Sequence, residues 1–166
     1  GGDFSKISAW SPYKGLTQVL RGITLSFLVE EEELQGHKIT LDISTNCGEL
    51  HGSERNGYPD LGKGTTINNG DTVYWTGYEV WNEYLSQSET LEETMNRFGG
   101  IFIDVVIKAD GNIIGYAIIE IVCPYPDSFI LFSALNASVF FPKVNGEFQQ
   151  ITEEYLAQQI AAAKGS

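Results

Sequence analysis

Basic residues are scarce in this chain. Lysine and arginine together number 10 against 22 aspartates and glutamates, which leaves a net charge of -12 on 166 residues. That shortage disfavours non-specific binding to nucleic acid, because phosphates need cationic partners. Docking on an anionic membrane surface is disfavoured for the same reason. No apolar run approaches the roughly 20 residues that cross a bilayer as a helix, so membrane insertion is not expected. Cysteine is nearly as rare, with Cys47 and Cys123 alone. Neither belongs to a CxxC pair, and neither stands at ligand spacing from His37 or His51, so no metal site is expected. The two cysteines either form one disulfide that closes a long loop or stay as buried thiols that pack as small hydrophobes. Both lie near the ends of predicted strands. Pairing would also demand a Cα separation that no sequence supplies. A phosphate-cradling loop is missing too: Gly62-Lys63-Gly64-Thr65 is too short for one, and no cofactor is expected. The chain opens Gly1-Gly2-Asp3 without Met or signal peptide, as expected where a leader has been removed or a longer chain trimmed.

What is present argues for a folded domain. Hydrophobic residues make up 42% and charged residues 19%, enough apolar material for a core. The length suits a single domain over residues 1–166. Apolar and polar positions alternate through Ile23, Leu25, Phe27 and Val29, and again through Ile39, Leu41 and Ile43. Period two means strands with one buried face. The intervening Glu30-Glu31-Glu32-Glu33-Leu34-Gln35-Gly36 reads as an exposed hairpin connection. Ile101 to Val122 reads as a hairpin around Asp110-Gly111, with Ile114, Tyr116 and Ile118 on the face of Ile101, Ile103, Val105 and Ile107. The other face, with Phe102, Val106, Ile113, Ala117, Ile119 and Ile121, is also apolar. Such a hairpin belongs in mid-sheet, covered on both sides. Further strands are expected at Thr72–Thr76, Phe129–Phe132 and Ser138–Phe141, with turns at Asn68–Asp71 and Asn145-Gly146.

Two helices are expected, with a weaker third around Leu16–Leu20. In one, Ser86-Gln87-Ser88-Glu89 forms a capping box ahead of Leu91, Met95 and Phe98, and Gly99-Gly100 ends it. The other is C-terminal, over about residues 152–164, capped by Thr152 with Glu153 and Glu154 near its positive end. The fold class is therefore mostly β, a β-sandwich or sheet-rich α+β domain with one or two short helices.

Catalytic constellations are sparse. A Ser53-His51-Asp60 relay can be drawn, but no nucleophile-elbow sequence accompanies it. Carboxylate pairs among 22 acids discriminate nothing. Consecutive glutamates at 30–33 point to alternate faces and converge poorly on a calcium ion. No enzyme is expected. The stretch from Cys47 to Asp71 is crowded with glycine, asparagine and aspartate and reads as one long loop. An aromatic group follows it: Tyr74, Trp75, Tyr78, Trp81 and Tyr84. Flat rings beside short polar groups stack on and hydrogen-bond to sugars or peptides. The expected ligand site is therefore Tyr58 and Asp60 together with Tyr78, Trp81 and Tyr84, on two loops, away from the glutamate turn. Core or rim packing is the competing role for these rings.

The expected function is a non-catalytic binding or structural module with a carbohydrate or protein partner. It would lie outside the cytoplasm: secreted, on a cell surface or on a virion. The alternative is an acidic inhibitor or immunity-type protein that masks a basic enzyme by complementary charge. The sequence leaves the oligomeric state open.

Overall fold

A computed structural model of the chain describes residues 5–10, 22–30, 32–52, 57–122, 133–140, 142–144 and 147–165. Their strands are β1 (Ser5–Trp10), β2 (Gly22–Val29), β3 (Ile39–Thr45), β4 (Glu49–His51), β5 (Asp60–Gly62), β6 (Gly64–Asn68), β7 (Thr72–Thr76), β8 (Ile101–Ala109), β9 (Asn112–Val122), β10 (Ser133–Phe140), β11 (Lys143–Val144) and β12 (Glu147–Phe148). The helices are α1 (Tyr78–Ser86), α2 (Leu91–Arg97) and α3 (Glu153–Ala163). The domain is thus sheet-rich with short helices, one of them C-terminal.

Two antiparallel five-stranded sheets carry the fold, in the orders β1-β2-β7-β4-β5 and β10-β9-β8-β3-β6, beside a small β11-β12 pair. One core joins the two sheets. Ile23, Leu25, Phe27, Val73, Trp75 and Leu50 from the first meet Leu41, Ile43, Ile103, Val105 and Ile119 from the second. The sheets also touch along both edges, where β1 lies against β10 and β5 against β6. Burial drives this layering, since each enclosed Ile, Leu or Val side chain contributes about 1.5 to 3 kcal/mol.

The β8–β9 hairpin sits mid-sheet as the two-sided apolar pattern requires, between β3 and β10. Asp110 (φ 51°) and Gly111 (φ 86°) both take positive φ, as a type I′ turn demands. The face assignment needs correcting. Lys108 pairs with Ile113, but Ile107 pairs with Gly115, so Ile114 is an extra residue in β9. Such a bulge reverses the alternation beyond it. Ala117, Ile119 and Ile121 therefore join Ile103 on the inner face, while Tyr116 and Ile118 turn outward. The outer face is covered by α3 and the residues leading into it: Ile151, ahead of the helix, and Leu156 within it pack on Tyr116 and Ile118, flanked by Phe102, Val106 and Ile160. Lys164 pins the end of α3, with its Nζ 2.7 Å from Asp104 Oδ2 and 5.2 Å above the Phe102 ring.

Four further expectations are revised. β2 and β3 do not form a hairpin; they belong to different sheets, so the acidic segment between them is a crossover. A 3-10 turn at Glu32–Leu34 lies in it, and Leu34, 7% exposed, plugs the end of the core. The Cys47–Asp71 stretch is not one loop, because β4, β5 and β6 lie within it. Residues 78–86 are helical rather than a loop. The capping box belongs to Thr90 and Glu93, whose side chains each bond the other's backbone N–H, while Ser86 ends α1. The Asn68–Asp71 turn forms, with Gly70 at φ 91°. Asn69 there accepts from the Val29 amide at 2.8 Å and donates to the Val29 carbonyl at 2.9 Å, tying the turn to the end of β2. Thr152 caps α3, accepting from the Tyr155 amide at 3.1 Å. Ser138–Phe140 lies in β10, whereas Leu16–Leu20, Phe129–Phe132 and Asn145-Gly146 lie outside the described residues.

Candidate functional site

The five residues expected to bind ligand stand on two elements. Tyr58 lies in the β4–β5 connection and Asp60 opens β5. Tyr58 takes φ 54°, uncommon for a bulky residue, and its ring lies 5.2 Å from that of Tyr74, tilted by 50°. His51 flanks the same ring at 6.4 Å. Its Nδ1 is 3.3 Å from the Tyr58 carbonyl oxygen and its Nε2 3.5 Å from Thr76 Oγ1, which donates to Glu49 Oε2 at 3.0 Å. Tyr74 is only 3% exposed, so Tyr58 and His51 serve at least as its cover. Asp60 Oδ1 accepts from the Gly62 amide at 2.8 Å and so shapes its own turn. Of the drawn relay, Ser53 lies outside the described residues.

Tyr78, Trp81 and Tyr84 are carried by α1; the side chains of Tyr78 and Trp81 lie outside those described. The helix is seated by Val80, fully buried in the core. Tyr84 packs partly against that core and lines a shallow hollow of about 510 Å³ with Gln87, Ser88, Glu89, Thr90 and Glu93. Neither Tyr58 nor Asp60 is among its described walls.

At the start of α1, Glu79 accepts from the Gly48 amide at 2.8 Å and forms an ion pair with Lys63, whose Nζ also donates to the Gly48 carbonyl at 2.6 Å. Burial raises the Glu79 pKa, but the bonds from Lys63 and the Gly48 amide outweigh it and leave the carboxyl below its ordinary value. Next to this cluster Cys47 is a buried free thiol; Cys123, its expected partner, lies outside the described residues. The Cys47 carbonyl accepts from Trp75 Nε1 at 2.9 Å and from Thr45 Oγ1 at 2.6 Å. Burial first, and the Glu79 charge second, push the thiol pKa up to about 12. The folded chain should therefore resist iodoacetamide at Cys47 and react once unfolded, as mass spectrometry would show. The same group makes stability pH-dependent. Its contribution is complete below the unfolded thiol pKa of about 8.5 and is lost as pH rises through about 12, because only the unfolded state gives up the proton readily. An alkaline melting series that stays flat across that window would contradict the burial of Cys47.

Two hollows flank the β2–β3 crossover. One, of about 520 Å³, is lined by Leu34, His37, Ala109, Asp110, Asn112, Ile114, Glu147, Phe148 and Gln150. Its floor is the open end of the main core: Leu34, Ala109 and Ile114 are 6 to 8% exposed. The other, of about 640 Å³, shares Leu34 and His37 and adds Val29, Ile39, Glu30, Glu32 and Asn69. His37 and Asp110 stand on the wall between crossover and hairpin, with Nδ1 and Oδ2 2.5 Å apart. The Lys38 amide donates to Asp110 Oδ1 at 2.9 Å. The His37 bond first, and the Lys38 amide second, hold the Asp110 carboxyl below its ordinary range. An apolar floor ringed by convergent polar groups is the usual form of a binding site. One sequence signal marked this region: Leu34, an apolar residue ending a run of acids. Ala109 and Ile114 flank one hairpin turn, but nothing local marks that Leu34 and Phe148 come to lie beside them.

Set beside known protein families, curated proteins and solved structures, the chain matches none of them.

Proposed function

We propose that this domain is a non-catalytic binding module that seats its partner in the hollow over Leu34, Ala109, Ile114 and Phe148. The observation that carries the reading is the open end of the core: a nearly dry apolar floor inside a polar rim of His37, Asp110, Asn112, Glu147 and Gln150. A ligand entering it removes apolar surface from water while the rim sets its orientation. Tyr84's hollow has no aliphatic residue among its described walls, which Gln87, Ser88, Glu89, Thr90 and Glu93 complete, and Tyr58 is engaged in covering Tyr74. A place outside the cytoplasm belongs to the same proposal and rests on composition, with 18 glycines and only 10 basic residues.

The test is a fragment and short-peptide screen by amide NMR on the full chain. Ligands should perturb the amides of Leu34, His37, Ala109, Ile114 and Phe148, and Ala109→Trp should abolish the effect. Asn112→Trp, which fills the hollow from its exposed rim, serves if Ala109→Trp fails to fold. Perturbations centred instead on Tyr58 or Tyr84, or a response surviving both filled variants, would overturn the assignment.

A further inference from the structure

We infer that the occupant of this hollow is an extended segment of a partner protein that sets an apolar side chain between lysines or arginines. The inference rests on the binding-module reading and names the class of ligand. Its basis is charge complementarity around an apolar floor. Glu32 stands on one side of the Leu34–His37 wall, and Asp110 and Glu147 on the other. No lysine or arginine is among the described residues lining either hollow. The net charge of -12 reinforces the local field and would speed the approach of a basic partner.

The arrangement also discriminates among ligands. A neutral sugar over this rim would desolvate carboxylates without returning any charge to them, which costs free energy. A nucleic acid would be repelled. Among the described residues no three His, Cys, Asp or Glu groups converge as a metal cage requires. Cations spaced along a polypeptide match carboxylates spaced along a groove, and an apolar side chain between them fills the floor. Asp110 is already oriented by His37 and the Lys38 amide, so little ordering remains to be done on binding.

The experiment is calorimetric titration of the full chain with a nonapeptide alternating arginine and leucine, and with its glutamine-for-arginine counterpart. The arginine peptide should bind at least about tenfold more tightly than the glutamine peptide, and added salt should weaken it. Glu32→Gln and Glu147→Gln should each weaken binding by about two- to fivefold, the range of exposed charge pairs. Glu153→Gln and Glu154→Gln, on α3, should leave it unchanged. Equal binding of both peptides, lost in the filled variants, would sink the basic-partner inference and leave the binding-module reading standing. Arginine-peptide binding that survives Ala109→Trp and Asn112→Trp in folded chains would be general attraction to an acidic surface and would overturn both. Failure of both peptides to bind would remove the inference, while fragments could still locate the hollow.

Discussion

The Ile103→Asp variant should have no folded state. Ile103 is fully buried in β8, paired with Ile119 on β9 and Thr45 on β3. Truncating such a side chain alone costs about 2 to 5 kcal/mol. The substitution adds a carboxyl group where no polar partner awaits it, and even its neutral form costs about 1 to 3 kcal/mol more to bury. The sum is comparable with the roughly 5 to 15 kcal/mol that holds a typical domain together. Ile103→Val separates this from mere intolerance of change, since it should fold and lose only about 0.5 to 1.5 kcal/mol. Circular dichroism and urea titration of the two variants check the expectation. A cooperative transition in Ile103→Asp near that of the parent chain would place the core elsewhere. The slowest amide exchange should fall on β8 and β9 for the same reason.

Gly48→Ala should cost about 2 to 5 kcal/mol, adding a positive-φ penalty of about 1 to 2 to an overpacking penalty of about 1 to 3. Gly48 holds φ at 90°, and a Cβ there would come within 2.3 Å of Trp75 Nε1 and 2.6 Å of the Thr76 carbonyl oxygen. Neither obstacle can retreat. Trp75 is fully buried and donates to the Cys47 carbonyl, and Thr76 is in the β7 ladder. For a domain of this size the loss corresponds to a fall in Tm of about 4 to 20 °C. Gly57→Ala is the matched control. Its φ of 77° is also positive, yet no described residue lies within 4 Å of the added carbon, so it should show the backbone penalty alone. Equal losses in the two variants would mean that the contact with Trp75 yields.

Residues near one another in sequence declared most of the local structure. The alternation in Ile23–Val29 and Ile39–Ile43 marks strands because period two is a property of the strand itself. Asp110-Gly111 marks its turn because few other dipeptides accept positive φ twice. Thr152 marks the start of α3 because a capping hydroxyl acts three residues away. The misplacements also have local causes. Ser86 and Thr90 both head a plausible cap, and only the packing of α1 decides that the chain is still helical at Ser86. The glycines between Cys47 and Asp71 weaken any strand signal, yet short edge strands need mainly a neighbour with free backbone groups to pair with.

What the sequence settled by itself was the class of the domain and the strength of its core: an acidic, sheet-rich chain, with a hairpin apolar on both faces and a capped C-terminal helix. The pairing of the strands was decided only in three dimensions. One extra residue at Ile114 turned half of β9 over. The assignment of β2 and β3 to opposite sheets made a solvated hairpin into the crossover that closes the core. Both outcomes follow from the two-residue period of a strand: a single inserted residue or a change of sheet exchanges inside for outside, and nothing within the segment records which face its distant partners will offer. The hollow beside Leu34 is a product of that level, since its floor, its acids and its histidine come from three parts of the chain, the crossover, the β8–β9 hairpin and the segment from Glu147, that meet only in the folded domain.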